Sequence, residues 1–120
     1  MSELQTVTAE TTAVPTSAVS IAIPLVLIAD ANPRSRLRRS RQLADRGFRV
    51  TVARTAFEAI VKASCHLPDL ILVDGSLGDA DAQGTSELLS RCPATAHIPI
   101  VRLMPGRRLP TRVFASMMHA

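Results

Sequence analysis

The chain has 120 residues and a mass of 12.9 kDa, close to the commonest size of a single domain, which excludes a multidomain enzyme within it. Hydrophobic residues make up 47% and charged residues 20%, so there is enough apolar material for a core and wholesale disorder is excluded. The formal net charge of +4 is unevenly placed: residues 1–33 hold Glu3, Glu10 and Asp30 and no base, and all 14 basic residues, 13 of them Arg, follow.

Aromatics are 2%, three Phe with no Trp or Tyr, which disfavours modules that stack single-stranded bases on aromatic platforms. Two cysteines, Cys65 and Cys92, cannot build a disulfide scaffold and read as thiols of a reducing compartment. The longest apolar run, Ile21 to Ala29, is broken by Pro24 and falls far short of the roughly 20 residues that span a bilayer. Glu3 and Glu10 stand where a secretory signal carries bases. These features predict a cytoplasmic protein with no membrane partner.

In chain order, residues 1–22 are rich in Thr, Ser, Ala and Val without a clear period and read as a flexible leader, leaving residues 23–120 as the domain. Leu25-Val26-Leu27-Ile28-Ala29 reads as a strand buried on both faces, ending at Asp30. Asn32-Pro33 is a helix start, with Leu37, Ser40, Leu43 and Ala44 on the expected inner side and Gly47 as the C-cap. Phe48 to Val52 alternates as a half-covered strand. Thr55-Ala56-Phe57-Glu58 matches a capping box, and Phe57, Ile60, Val61 and Ser64 continue at helical spacing until Pro68. Leu70-Ile71-Leu72-Val73 is a second apolar run, ending at Asp74. A loop from Gly75 to Gly84, a helix near Ser86 to Arg91, a strand from Ile98 to Leu103 and a helix from Thr111 to Met118 complete the series.

The resulting β-α-β-α-β-α-β-α order implies parallel strands with helices on both faces, and functional groups at the carboxyl ends of the strands. Asp30 and Asp74 end the two most apolar runs, so they are predicted to share one crevice. Such a pair can hold a hard cation such as Mg²⁺, or one member can act as a nucleophile, or each can merely cap the turn that follows.

Residues 25–104 resemble a response-regulator receiver domain of two-component signalling. The resemblance is carried by Leu27-Ile28-Ala29-Asp30-Ala31-Asn32-Pro33 with Arg36, by Gly47-Phe48-Arg49-Val50 with Ala53, by Pro68 to Asp74, and by Ile98-Pro99-Ile100-Val101. It implies a flavodoxin-like sheet of order 2-1-3-4-5 and a phosphorelay role with a histidine kinase or other signalling protein as partner. It also implies Asp74 as phosphoacceptor and a metal site of Asp30, Asp74 and the Ser76 backbone carbonyl. Mg²⁺ would offset charge on the transferring oxygens.

The departures from that pattern point to a degenerate, truncated member, a pseudo-receiver. Ala31 replaces the second acidic residue, which weakens any Mg²⁺ site. Met104 stands at the switch position, where a hydroxyl is usual, and a thioether cannot donate a hydrogen bond. The fifth βα unit, with its terminal Lys, is lacking. An uncovered fourth strand and apolar surface then predict a homodimer, with a gene fragment as the rival explanation. The expected role is a phosphoprotein or binding module with weak or no phosphorylation switching, and not an enzyme. The alternative is a sensor that binds an anionic nucleotide, such as a cyclic dinucleotide, through Arg34, Arg38, Arg102, Arg107 and Arg108.

Other motifs are weak. Asp74 to Asp81 lacks the acidic spacing of a Ca²⁺ loop, and Cys65, His66, Cys92 and His97 lack zinc-ligand spacing. No nucleophile elbow, P-loop or dinucleotide motif occurs, and no helix-turn-helix, so nucleic acid is an unlikely partner.

Overall fold

A computed structural model describes residues 23–105 and residue 109. Four strands, β1 (Leu25–Ala29), β2 (Arg49–Ala53), β3 (Leu70–Asp74) and β4 (Ile100–Leu103), form one sheet of order β2-β1-β3-β4. All three pairings are parallel, with Leu27 opposite Thr51 and Ile71, and Val73 opposite Arg102. The helices are α1 (Pro33–Ala44), α2 (Ala56–His66) and α3 (Asp79–Arg91), with a single 3₁₀ turn at Gly75–Leu77.

The apolar runs form the two central strands because their side chains are buried on both faces. Alternation along them divides the core. Val26, Ile28, Leu70 and Leu72 pack with Leu43 of α1, Phe48, Leu103 and Leu109 on one face. Leu27, Ala29, Ile71 and Val73 pack with Ala59 and Ala63 of α2 and Ala82 and Leu89 of α3 on the other. Among the described residues this is a flavodoxin-like fold of four parallel strands with helices on both faces.

Local signals account for most element boundaries. The Asn32 side chain accepts the N–H groups of Arg34 and Ser35, with Pro33 filling the position that needs no donor. Thr55 caps α2 through the Glu58 N–H at 3.1 Å. The return arm of the box lands one residue early: Glu58 Oε1 accepts from the Arg54 N–H at 2.7 Å. That hydrogen bond, with the Lys62 and Arg54 charges, holds the Glu58 carboxyl below its ordinary value. α2 ends at Leu67 in the left-handed region (φ 46°), and Pro68 follows.

Five expectations are corrected. The inner face of α1 is the row Ser35, Arg39 and Leu43, while Leu37 is 53% exposed and Ala44 is exposed. The buried face of α2 is Ala59 and Ala63, and Phe57, Val61 and Ser64 face outward. For α2, counting large residues picked the wrong stripe, because small side chains at contact let a helix lie close to the sheet; for α1 it missed that the largest buried side chain is a charged one, Arg39. α3 begins at Asp79, not near Ser86: Gly78, at φ 90°, turns the chain, and Ala82, Thr85 and Leu89 form a buried row that extends the helix backward. β4 begins at Ile100, since the Ile98 N–H is used in a turn to the Thr95 carbonyl. α1 is capped at Asp45, with Gly47 (φ 91°) making the turn beyond it. The leader at residues 1–22 and the helix at Thr111 to Met118 lie outside the described residues. Among the described residues, no helix is long and apolar enough to cross a membrane.

Candidate functional site

Parallel pairing of β1 with β3 places Ala29 beside Val73, so Asp30, just after β1, and Asp74, the last residue of β3, meet at the carboxyl end of the sheet. Both are buried, at 0% and 1% exposure. One side chain touches both. Arg39, on the second turn of α1 and itself fully buried, donates through Nη1 to Asp30 Oδ2 at 3.1 Å and to Asp74 Oδ1. Its Nη2 donates to the backbone carbonyl of Met104, just past β4, at 3.1 Å. A single guanidinium therefore ties together the carboxyl ends of three strands.

The remaining carboxylate oxygens are also satisfied. Asp30 Oδ1 accepts from the Asn32 N–H and from Ser76 Oγ, each at 2.9 Å, and Oδ2 also accepts from Ser35 Oγ at 2.6 Å. Asp74 Oδ2 accepts from the Ser76 N–H at 2.8 Å. Ser76 Oγ in turn accepts from the Ala31 N–H at 3.0 Å, which joins the two loops. At the rim, Arg36 Nη1 donates to the Asp30 carbonyl at 3.0 Å. The carboxylates thus do cap the turns that follow them, and they also converge on one cation.

Burial pushes the Asp74 carboxyl up, but hydrogen bonding by Arg39 and Ser76 and the Arg39 charge outweigh it and leave it below its ordinary value. Asp74 is therefore an ionised, neutralised group whose two oxygens are both engaged.

Of the residues singled out in the sequence, Asp30, Asp74 and Ser76 come together, with Ser76 entering through its N–H and hydroxyl where its backbone carbonyl was expected. Met104 lies at the site through its carbonyl, while the residue is 64% exposed. Its loop presses on the end of β3: a Cβ at Gly75 would lie 2.9 Å from Pro105 Cδ, so only glycine fits there. Arg34 and Arg38 line an open groove on α1 with Leu37, Arg41, Gln42 and Asp45, whereas Arg102 is exposed on β4 and does not line it. Arg107 and Arg108 lie outside the described residues. Sequence reasoning missed Arg39 and Ser35. Their signal was the i, i+4, i+8 row Ser35-Arg39-Leu43, which runs back toward Asp30.

The donor set does not fit Mg²⁺ as it stands. Mg²⁺ needs oxygen ligands in near-octahedral array, and here a guanidinium holds one oxygen of each carboxylate. Among the described residues, no group of three or more His, Cys, Asp or Glu is placed to hold a metal.

The fold is that of response-regulator receiver domains. Among solved structures, the chain is similar to the N-terminal domain of a response regulator receiver protein from Methanoculleus marisnigri, with TM-score 0.65, 24% identity, and 80% and 78% of the two chains covered. It is similar to a chemotaxis response regulator of Vibrio cholerae at TM-score 0.65 and 22% identity, covering 81% and 80%. It is also similar to a receiver protein from Pseudomonas putida at TM-score 0.62 and 21% identity, covering 83% and 81%. No family model and no curated protein matches the sequence.

Proposed function

We propose that this chain is a receiver-fold signalling module that acts by binding another protein, a histidine kinase or another signalling component. In this reading Asp74, its candidate phosphoacceptor, is held in an internal ion pair, so that phosphorylation switches it weakly or not at all. The observation that supports this reading is the Arg39 guanidinium on both carboxylates. A phosphoacceptor must present a free, accessible oxygen to the phosphoryl donor. Asp74 is 1% exposed, with Oδ1 on Arg39 and Oδ2 on the Ser76 N–H. Attack on a donor would first have to break a buried pair, which is costly because it leaves an uncompensated charge.

The fixed position of the β4 loop supports the same reading. Met104 has no hydroxyl to reach a phosphoryl group, and its carbonyl is already committed to Arg39. The second state that phosphorylation would select is therefore disfavoured from within the chain. Self-association belongs to this reading too: β4 is an outer strand of the sheet among the described residues, and a second copy is one surface that can pair with it.

Incubating the protein with acetyl phosphate and Mg²⁺, then weighing it intact, tests the proposal. No adduct, or a trace that disappears in Asp74→Ala, is the expected outcome. Rapid stoichiometric phosphorylation of Asp74 would overturn it. Light scattering at micromolar concentration tests the dimer, and a monomer there removes self-association from the reading.

A further inference from the structure

We propose that Arg39 is a built-in cation that holds the space between Asp30 and Asp74 against any divalent metal, so that an uncharged side chain at position 39 converts the pair into a Mg²⁺-binding site. The inference rests on the reading of Asp74 as a closed site, and it is tested on metal binding by position 39 variants rather than on phosphorylation.

The two terminal nitrogens of the guanidinium meet hard oxygens: Asp30 Oδ2, Asp74 Oδ1 and the Met104 carbonyl, from the ends of β1, β3 and β4. Oxygen donors of two ionised carboxylates and a backbone carbonyl are what a hard divalent cation takes, with water completing its shell. The two carboxylates are close enough to share one nitrogen, and two like charges at that range cannot both stay ionised in a buried site without a cation between them. For both to stay ionised a positive group must stand there, and in this chain it is covalently attached.

Attachment decides the competition. A tethered guanidinium presents itself at high effective concentration and cannot diffuse away. Its planar fork matches two carboxylates and a carbonyl simultaneously. Its apolar stem is buried with it, in the same inward row as Leu43. A metal arriving from solution must displace this group from both carboxylates. Ser35 and Ser76 hold the Asp30 carboxylate through their hydroxyls at 2.6 and 2.9 Å, so its orientation does not depend on Arg39 alone. Removing the guanidinium therefore leaves an oriented carboxylate pair that lacks its counter-charge.

The test uses the full chain in three forms: wild type, Arg39→Ala, and Arg39→Met, which keeps an apolar stem. Thermal unfolding is followed in MgCl₂ and in NaCl of equal ionic strength, and Mn²⁺ binding is counted by water-proton relaxation. Wild type should unfold at the same temperature in both salts and bind no Mn²⁺ at the site. Both variants should be weakened in NaCl and recover in MgCl₂, with one Mn²⁺ bound per chain. At a Mg²⁺ concentration of about ten times Kd, their unfolding equilibrium constant should fall about 11-fold. Adding Asp74→Asn to Arg39→Met should abolish the response. The proposal is overturned if folded variants ignore Mg²⁺, if wild type binds Mn²⁺ as tightly as they do, or if neither variant folds even in saturating Mg²⁺. Phosphorylation of the wild-type chain would instead count against the closed-site reading, whatever the variants do with metal.

Discussion

Helix α1 presents two faces built from the same residue type. Outward lie Arg34 and Arg41, exposed beside Leu37. Inward lies the row Ser35, Arg39 and Leu43, each buried. The outer arginines sit in water, where a charge costs nothing to keep and its pairings are worth little. Arg39 is in the interior, where an unpaired charge is prohibitive, and it persists there because two carboxylates meet it. Composition shows the same side chain on both faces, but burial and counter-charge decide which one defines the site.

Replacement of Arg39 breaks this contrast most severely. Arg39→Ala leaves Asp30 and Asp74 buried without their cation, and loss of one partner of such a pair costs about 3–5 kcal/mol. Urea denaturation at neutral pH measures it. A loss below about 1 kcal/mol would mean that the inner face of α1 is no more demanding than the outer one. Next comes the apolar pair on the same helix. Leu43→Ala should cost about 3 kcal/mol, mid-range for a fully buried leucine, whereas Leu37→Ala should cost only a few tenths. Equal losses at the two positions would refute the observed rotation of α1 about its axis.

The pH response sharpens the comparison through its sign. Because the Asp74 carboxyl is held below its ordinary value of 3.8, its contribution is present above that value. It is lost as pH falls through the still lower folded value. In Arg39→Ala the Arg39 hydrogen bond and charge are gone and only the Ser76 hydrogen bonds oppose burial, the largest influence, so the folded value should rise above the unfolded one. The variant should then gain stability as pH drops below neutrality toward mild acid, a range in which this group leaves wild type flat. Denaturation midpoints measured between pH 7 and pH 4 distinguish the two slopes, and parallel curves would show that Arg39 does not set the charge state of Asp74.

Much of the fold was legible in the sequence, and the reasons are local. The apolar runs at Leu25 and Leu70 can only be central strands, Asn32-Pro33 and Thr55 announce their helices, and parallel pairing then brings Asp30 to Asp74. The boundary of α3 was not legible, because the chain turns at Gly78 with no side-chain cap to signal it. Arg39 was hidden for a different reason. A charged residue on a helix is an outer-face residue by default, and only the placement of both carboxylates beneath that row makes an inward arginine stable. The face of α2 was misjudged because Ala59 and Ala63 contribute closeness rather than bulk.

The smaller effects lie at the joints of the site and on its outer rim. Ser76→Ala removes the hydroxyl that bridges Asp30 Oδ1 and the Ala31 N–H while leaving the Ser76 N–H on Asp74. It should cost about 1 kcal/mol, the usual net worth of such a bond, because Asn32, Ser35 and Arg39 still hold Asp30. On the outer face, Arg34→Ala and Arg41→Ala should each change stability by less than about 0.5 kcal/mol, since both are exposed. If that face serves an anionic partner, these two substitutions should weaken binding in a salt-dependent way without moving the unfolding midpoint. Arg39→Ala should move the midpoint first. A partner whose affinity follows fold stability rather than the outer charges would place its contact elsewhere on the molecule, away from this face of α1.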